Sequence, residues 1–344
     1  MLQNYLTMQI FKNCSIKKYN TFGIDVKASV LVEYEHDDEI IDFLKSNQDK
    51  TLKLLVVGGG SNLLFQNDFD GLIIHPVGQR MEVIKEDENF IFIKASAGYV
   101  WDKFVEDTLN SKAYGLENLS LIPGTVGASV VQNIGAYGVE AKDFVDEVEY
   151  LDLISYEIKT IKNSDCKFAY RNSIFKNQLK DKVLVLNVIY KLFKQPKLNC
   201  EYADIQKYFN GKTDVSAKDV REAVINIRNF KLPDPEQIGN AGSFFKNPII
   251  NQKQFDVLMK KYEDLRFYSL PNGNYKLAAA WMIDKLGFKG FEHKGAAVHK
   301  NQALVIINET GEASGSDICE LAEIIKEKVY QNFNVILEPE VIYV

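Results

Sequence analysis

Apolar residues recur along the chain in two periods, and each period predicts a different secondary structure. Short runs rich in β-branched and aromatic residues predict strands. Apolar positions three and four residues apart predict helices, with Asp37 and Ser316 as candidate N-caps and Gly287 as a left-handed stop. Strands are predicted at 52–57, 71–76, 81–86, 89–96, 146–155, 157–162, 181–193, 301–308 and 334–344, and helices at 37–48, 100–111, 251–262, 276–287 and 316–333.

The segment "LPDPEQ" at 232–237 separates two regions of different character. Two prolines within three residues break regular structure, so this segment predicts a module boundary. Strands dominate before it, whereas helices and strands alternate after it. Pro339 lies inside the last predicted strand, which indicates a sheet edge or a bulge. A chain of 344 residues is long enough for two or three domains.

Charge and cysteine content narrow the class of protein. The formal net charge is −6 and no long basic run occurs, which argues against a nucleic-acid partner. The four cysteines form no C-x-x-C pair, as expected for free thiols in a reduced cytosol. The N-terminus lacks a signal-peptide core and no run could span a bilayer, so we expect a cytoplasmic protein without a membrane partner.

A first glycine segment, "VVGGGSNLL" at 56–64, directly follows a predicted buried strand. Three consecutive glycines can adopt positive φ and turn successive N–H groups toward one anion. The segment is neither a G-x-G-x-x-G fingerprint nor a Walker loop. Taken alone, it fits a plain glycine turn in a hairpin about as well as a phosphate site.

A second glycine segment, "LIPGTVGASVVQNIGAYG" at 121–138, favours the ligand-binding alternative. A packed strand or helix has little use for so many glycines, whereas backbone that closely approaches an extended ligand requires them. Together the two segments predict a cofactor of the dinucleotide type.

Seven motifs, in order, resemble the UDP-N-acetylenolpyruvoylglucosamine reductase (UDP-N-acetylmuramate dehydrogenase) family over nearly the whole chain. They are "NTFGIDVKA" near the start, the two glycine segments with the sequences "VVGGGSNLL" and "IPGTVGASVVQNIGAYG", and then "FAYRNSIFK", "KLPDPEQIGNAGSFFKNP" and "GAAVHKNQALVIIN", with "LEPEV" close to the C-terminus. "CEYADI" at 200–205 resembles the longer, type I subgroup, in which a tyrosine-bearing loop covers bound substrate.

The resemblance implies an α+β fold with an FAD-binding domain of the vanillyl-alcohol-oxidase (PCMH) type in two α/β subdomains. These are expected at 1–79 and 80–222, the second completed by strand 334–344. An α/β substrate-binding domain is expected at 223–333. The implied activity is NADPH-dependent reduction, through non-covalent FAD, of UDP-N-acetylglucosamine enolpyruvate to UDP-N-acetylmuramate in peptidoglycan precursor synthesis. NADPH and this small molecule are the expected partners, and a monomer is expected.

Three residues match the family's catalytic positions. The resemblance makes Ser243 the proton donor, Arg171 the partner of the enolpyruvyl carboxylate, and Glu340 the acid that stabilises the intermediate. A hydroxyl can protonate a carbanion in a dry site, and Phe244 and Phe245 would help to exclude water. The alternatives from the residues alone are a buried strand serine, a surface arginine pair and a solvated glutamate, with Glu338 as a rival.

The resemblance also implies two binding sets. The cofactor set consists of Gly58, Gly59, Gly60, Ser61, Asn62, Leu63, Pro123, Gly124, Gly127, Ala128, Asn133, Gly135, Ala136 and Tyr137. The substrate set consists of Tyr202, Lys231, Asn247, Tyr268, Lys289 and Gln302, in which a lysine charge and hydroxyl donors suit a diphosphate. No metal is expected.

Two departures and three rival functions stand beside this hypothesis. Ile342 replaces a frequent arginine after "LEPEV", and "RNFKLPDP" differs from the commoner pattern. The rivals are another FAD-dependent oxidoreductase of the same fold, a non-catalytic nucleotide-sugar-binding protein and a serine hydrolase. Ser243 lacks the G-x-S-x-G elbow that the hydrolase would need.

Overall fold

The computed structural model describes residues 7–47 and 53–344, which form two compact units of mixed helices and strands. Unit 1 comprises residues 7–14, 28–47, 53–60 and 69–230 of the described chain. Unit 2 comprises 15–27, 61–68 and 231–344. Each unit therefore draws on segments that are far apart in the sequence.

Unit 1 contains two sheets. The first has the strand order Gln9–Ser15, Lys27–Tyr34, Phe69–Pro76, Lys53–Val56, and its last two pairings are parallel. The second is antiparallel throughout, in the order Ile158–Lys162, Val145–Asp152, Val183–Phe193, Phe90–Ser96, Met81–Glu86. A short hairpin joins Gly135–Ala136 to Val139–Glu140.

Five helices accompany these sheets: α1 (Asp37–Ser46), α2 (Trp101–Asn110), α3 (Val126–Val131), α4 (Ala203–Phe209) and α5 (Ala217–Lys231). Helix α1 buries Ile40 and Leu44, four residues apart, in a core that also contains Val32 and Ile74 of the first sheet and Leu184 of the second. The two sheets of unit 1 thus share one apolar layer.

Unit 2 is built around its longest helix. Its strands form a four-stranded sheet (Gly239–Ser243, Val305–Asn308, Ala296–Val298, Glu292–His293), a three-stranded sheet (Ile249–Ile250, Tyr275–Leu277, Phe267–Ser269) and a parallel pair (Ile342–Tyr343, Leu63–Leu64). Its helices are α6 (Gln252–Lys261), α7 (Ala279–Lys285) and α8 (Gly315–Phe333). The buried residues of α8 recur every three or four positions and form one stripe in the core, at Ile318, Leu321, Ala322, Ile325, Val329 and Phe333.

Most predicted elements are confirmed, although their ends shift. Residue 48 of the predicted helix 37–48 and residue 52 of the predicted strand 52–57 lie outside the described residues. The observed strand is Lys53–Val56, and none of its residues is buried, so the predicted burial of this strand was wrong. Gly287 is left-handed, as predicted. The prediction missed α4 and α5, and strand 334–344 is reduced to Ile342–Tyr343 and a bridge between Phe245 and Pro339.

The two predicted N-caps were wrong. His36 caps α1, and Glu39 accepts hydrogen bonds from the N–H groups of Glu35 and His36. Asp37 is the first helical residue, and its carboxylate instead accepts a hydrogen bond from Asn187. Helix α8 begins one residue before Ser316, because Ser314 and Asp317 form a capping box.

All four cysteines, Cys14, Cys166, Cys200 and Cys319, are free thiols, as predicted. Burial raises the pKa of the Cys166 thiol to about 12 and so suppresses its reactivity. Across 7–47 and 53–344, no helix has the length and apolar character needed to cross a bilayer.

Two isoleucines of unit 2 test whether the α8 stripe stabilises the fold. Ile325 is completely buried, whereas 69% of Ile336 is exposed. We expect Ile325→Ala to lower the free energy of unfolding by about 3 kcal/mol, because it leaves a cavity. Ile336→Ala should change it by less than about 0.5 kcal/mol. Chemical denaturation of both variants measures this, and equal losses would contradict the assignment of the core.

Candidate active site

The first glycine segment forms a turn that packs directly against the second. Gly60 is left-handed, with φ of 61°. A Cβ atom on Gly59 would lie 2.8 Å from Cα of Gly124, and one on Gly58 would lie 2.6 Å from Oγ1 of Thr125. Only glycine fits at these two positions, because backbone and a buried hydroxyl occupy the space that a side chain needs.

The N–H groups of this turn are available to a ligand. Val57 donates to the carbonyl of Ile74 and ends the strand pairing. In the described part of the chain, no protein acceptor is found for the N–H groups of Gly58, Gly59 and Gly60. Successive unbonded amides of this kind match the oxygens of a phosphate group.

The second glycine segment is held by the elements on either side of it. The carbonyl of Gly124 accepts from the N–H of Trp101 at 3.0 Å. A Cβ atom on Gly127 would lie 2.7 Å from Cβ of Ala97, so α3 packs closely on the residue that follows the strand. Pro123 and Ala128 lie within the same short stretch, which places the predicted cofactor residues of unit 1 side by side.

Asn133 is fully buried, and its side chain forms hydrogen bonds with the segments around it. Its side-chain amide donates to Glu140 and to the carbonyl of Ala169, both at 3.1 Å, and its oxygen accepts from the N–H of Lys142. The side chain of this predicted cofactor residue is therefore occupied by protein groups.

Arg171 lies at the tip of a tight turn beside the second glycine segment. Ala169 and Asn172 exchange two backbone hydrogen bonds across the turn, and Arg171 is left-handed with φ of 53°. Its Nη2 donates to the carbonyl of Gly135 at 3.1 Å. The bond that Asn133 makes to Ala169 anchors the backbone of the same turn.

A second arginine, Arg228, lies in this region and was not predicted. It is half-buried on α5, and its Nε donates to the carbonyl of Leu121 at 3.2 Å. Burial lowers the pKa of its guanidinium, and Arg171 is near enough to lower this pKa further. The signal was available, because Arg228 follows the buried residues Val220 and Val224 by eight and four positions on one helix face.

An ion pair between α2 and α5 holds the chain in front of Gly124. Arg221 makes two hydrogen bonds to Asp102, of 2.6 and 2.9 Å. The same carboxylate accepts from the N–H of Leu121, a left-handed residue with φ of 58°. Because the carbonyl of Leu121 accepts from Arg228, the pair fixes the start of the second glycine segment and the second guanidinium together.

Tyr137 and Tyr202 meet edge to face. Their ring centroids lie 5.4 Å apart, with an interplanar angle of 86°. Burial raises the pKa of Tyr137 to about 12, and Arg228 partly opposes that rise. Tyr202 is 39% exposed at the start of α4, so a predicted cofactor residue and a predicted substrate residue form one aromatic surface.

Ser243 ends the first strand of the four-stranded sheet of unit 2. It pairs with Val305 after a bulge that contains the left-handed Gly242. Ser243 is exposed, whereas Phe244 and Phe245 are buried in the core of the unit. The bulge therefore points the serine out of a strand whose next two residues anchor it.

Glu340 lies on backbone that adjoins Ser243. Its N–H donates to the carbonyl of Phe244 at 2.8 Å, and its carbonyl accepts from the side-chain amide of Asn62 at 3.1 Å. Glu340 is half-buried, whereas the rival Glu338 has a 70% exposed side chain that pairs with Lys246. Unit 2 thus places three predicted site residues, Asn62, Ser243 and Glu340, on adjoining segments of backbone that hydrogen bonds connect.

The remaining predicted residues have different surroundings. Asn247 accepts from the N–H of Ala279 and so supports the start of α7. Lys289 forms an exposed ion pair with Asp284, and 57% of Tyr268 is exposed. Ser61 and Leu63 flank Asn62 in unit 2, Ala136 lies in the hairpin of unit 1, and Lys231 and Gln302 are half-buried.

The residues present fit a dinucleotide such as FAD. The turn at Gly58–Gly60 offers consecutive amide donors, and its close contact with Gly124 leaves a surface of bare backbone. The guanidiniums of Arg171 and Arg228 add positive charge to unit 1 without a basic surface run. This donor set suits anionic and polar groups of a nucleotide.

Neutralising the α2–α5 ion pair tests its contribution to stability. Hydrogen bonds from Arg221 and Leu121 outweigh the effect of burial and lower the pKa of Asp102. The stability gained is therefore fully present above the unfolded pKa of about 4 and is lost as pH falls through the lower folded value. We expect Asp102→Asn to cost about 3 kcal/mol at pH 7, because Arg221 keeps an unpaired buried charge.

That cost should shrink in acid, and denaturation of both proteins from pH 7 down to pH 3 measures it. Asp264→Asn is the matched control, since Asp264 pairs with Lys285 on the exposed surface and should contribute little. A cost that is independent of pH would contradict this assignment.

Two family models match the chain in sequence order. The model for the FAD binding domain matches residues 28–156. The model for the C-terminal domain of UDP-N-acetylenolpyruvoylglucosamine reductase matches residues 234–344. The first spans both glycine segments, and the second includes Ser243 and Glu340.

Whole proteins of the same name match almost end to end. UDP-N-acetylenolpyruvoylglucosamine reductase of Flavobacterium johnsoniae is 43% identical over 97% of this chain and 99% of its own. The protein of that name from Pseudomonas aeruginosa is 41% identical, with the same coverage. The crystal structure of UDP-N-acetylenolpyruvylglucosamine reductase from Thermus caldophilus has a TM-score of 0.68 at 21% identity, over 98% of this chain and 99% of that one. This likeness confirms the predicted α+β fold class, and the identity to the curated relatives shows that the chain belongs to the UDP-N-acetylenolpyruvoylglucosamine reductase family.

Proposed function

We propose that this protein uses NADPH and bound FAD to reduce UDP-N-acetylglucosamine enolpyruvate to UDP-N-acetylmuramate, a step in peptidoglycan precursor synthesis. The observation that carries the proposal is the arrangement in unit 2. There the hydroxyl of Ser243, the acid Glu340 and the cofactor residue Asn62 lie on adjoining backbone. A proton donor, a carboxyl group and part of a cofactor site are the parts that this reduction needs.

The two glycine segments would hold the cofactor by backbone contacts. FAD, when bound, would supply the hydride chemistry that links NADPH to C3 of the enolpyruvyl double bond. The N–H groups of Gly58, Gly59 and Gly60 would donate to its phosphates. Non-covalent binding is proposed, since neither segment contains a histidine or cysteine to which the flavin could be attached.

Ser243 would complete the addition to the double bond. After hydride has reached C3, negative charge lies on C2 and on the neighbouring carboxylate of the substrate. The Ser243 hydroxyl donates its proton to C2, which forms the new C–H bond, and it regains a proton from solvent. A hydroxyl is a weak acid, but it can protonate so strong a base when it is positioned beside it.

Arg171 and Glu340 would stabilise the charge that precedes this proton transfer. A guanidinium binds a planar carboxylate with two parallel hydrogen bonds, and Nη2 of Arg171 is already oriented by its bond to the carbonyl of Gly135. Glu340, when protonated, would donate a hydrogen bond to the same charge. Arg228 adds a second permanent positive charge to unit 1, which favours an anionic substrate there.

The substrate's sugar and diphosphate would be held by the remaining predicted residues. Lysine charge and hydroxyl or amide donors recognise a diphosphate, and Tyr202 is 39% exposed. The members of this set are Tyr202, Lys231, Asn247, Tyr268, Lys289 and Gln302. We further propose that the protein is a cytoplasmic monomer and that the domain limits follow those expected from the family.

Replacing the proposed proton donor separates the two halves of the reaction. We expect Ser243→Ala to leave reduction of the flavin by NADPH unchanged, because that half needs no proton from the serine. Reoxidation by the substrate should slow at least about a hundredfold. Anaerobic stopped-flow absorbance measures both halves, and Ser316→Ala, an exposed serine on α8, is the control. Equal slowing of both halves would overturn the assignment.

The contact between Gly59 and Gly124 predicts how cofactor binding should change when a methyl group is added at Gly59. Gly59→Ala places Cβ against the backbone of Gly124, so the turn must shift and flavin content should fall at least about tenfold. Gly273→Ala is the control, since Gly273 is left-handed but has open space around it. It should cost about 1 kcal/mol of stability and retain the flavin.

Absorbance of the purified variants and mass spectrometry after denaturation read out this result. A colourless wild-type protein would end the proposed function. A flavin that stays attached after denaturation would favour the rival, a covalent flavoenzyme of the same fold.

A further inference from the structure

Asn118 joins two distant segments of unit 1 through one side chain. It lies in the single helical turn Glu117–Leu119 and is only 1% exposed. Its Nδ2 donates to the carbonyl of Tyr137 at 3.2 Å and to that of Asn199 at 2.8 Å. Both hydrogens of the amide are used, so one buried group ties the end of the second glycine segment to the segment that precedes α4.

The bond to Tyr137 supports a strained turn. Tyr137 and Gly138 are both left-handed, with φ of 48° and 82°, and they close the short hairpin at Gly135–Glu140. A left-handed conformation is unfavourable for a residue with a side chain, so Tyr137 needs outside support. The buried donor from Asn118 is one such support.

The bond to Asn199 supports a segment without regular structure. Residues 196–201 belong to no helix or strand, so few backbone bonds hold them. The Asn199 side chain makes two long bonds of 3.4 Å: it donates to the carbonyl of Gly138 and accepts from the N–H of Glu201. Leu198 and Cys200 pack on the apolar cluster between α4 and α5. Among these contacts, the bond from Asn118 is the shortest polar one.

Tyr202 is the N-cap residue of α4 and lies three residues after Asn199, and its ring meets the ring of Tyr137. Asn118 therefore holds the backbone on both sides of this aromatic contact. We infer that Asn118 is a positioning residue that sets the place of Tyr202 relative to Tyr137 and thereby controls substrate affinity. This inference rests on the proposed function, because it takes Tyr202 as a substrate residue.

Asn163 provides a matched control for a purely structural role. Its Nδ2 also donates to two backbone carbonyls of unit 1, those of Lys142 and Val145, both at 2.7 Å. Asn163→Ala therefore removes two bonds of the same kind, but the carbonyls that lose them belong to neither Tyr137 nor the segment before Tyr202. A general loss of stability should then occur in both variants. A displacement of Tyr202 should occur only when Asn118 is replaced.

Hydrogen exchange of the full-length protein tests the tether without any assay of activity. In Asn118→Ala, we expect the amides of 198–206 to exchange about tenfold faster, while Asn163→Ala leaves them unchanged. Asn118→Leu, which keeps the volume but not the donor, should behave like Asn118→Ala. Unchanged exchange in both Asn118 variants overturns the inference, and so does their complete unfolding, which would show a global role.

Kinetics then test whether the tether acts through Tyr202. We expect Asn118→Ala to raise the KM for UDP-N-acetylglucosamine enolpyruvate about tenfold, which corresponds to about 1.4 kcal/mol. Reduction of the flavin by NADPH should not change, and Asn163→Ala should have neither effect. In a Tyr202→Ala background, Asn118→Ala should raise KM no further, because the residue through which it acts is gone.

Fully additive effects on KM would overturn the inference. A wild-type protein that does not turn over this substrate would refute the proposed function instead. In that case the exchange of 198–206 would still decide whether Asn118 holds the segment.

Discussion

The contact between Gly59 and Gly124 is the constraint on which the candidate cofactor site depends. Two irregular loops approach each other backbone to backbone, at a separation that excludes any side chain. Neither loop could take this path within a sheet, because its N–H groups would then donate to a neighbouring strand. The approach leaves the amides of Gly58–Gly60 without a protein acceptor in the described chain, and such amides favour a bound anion.

Loops of this kind need external support, and unit 1 provides it with polar side chains. Asp102 and Arg221 hold Leu121 before the second glycine segment, Asn133 anchors the turn of Arg171, and Asn118 holds the end of the segment. Each of these groups satisfies backbone that no strand or helix can satisfy. Leu121, Tyr137 and Arg171, which these side chains support, are all left-handed. Such strained backbone persists near functional sites because the surrounding contacts stabilise it.

Unit 2 positions its candidate groups by a different device. A bulge exposes Ser243, while the next two residues are buried as phenylalanines and pair with the chain around Glu340. The hydroxyl is therefore attached to backbone that the next two buried side chains anchor in the core. The sequence pattern placed Glu338 and Glu340 on one face of a predicted strand. In the structure neither lies in a strand and only Glu340 is half-buried, so burial distinguishes two carboxylates that the pattern could not.

By itself the sequence determined the helices, strands and turns that can be recognised from the pattern of neighbouring residues. The stripe of α8, the strands of the antiparallel sheet and the turn at Gly287 follow from periodicity, because each residue's burial repeats with its own helix or strand. The caps were misplaced at Asp37 and Ser316 because several neighbouring polar residues can serve, and only backbone geometry selects one. The motifs also identified the candidate site residues and the family.

Only the tertiary structure decided which polar groups meet. Asn62 and Glu340 are 278 residues apart, Arg221 and Asp102 are 119 apart, and Asn118 and Asn199 are 81 apart. No periodicity relates such pairs, because a hydrogen bond depends on atoms within about 3 Å, whereas a hydrophobic pattern records only which face is buried. Arg228 was detectable as a charge on an apolar helix face, but its carbonyl partner on Leu121 could be known only once the chain had folded.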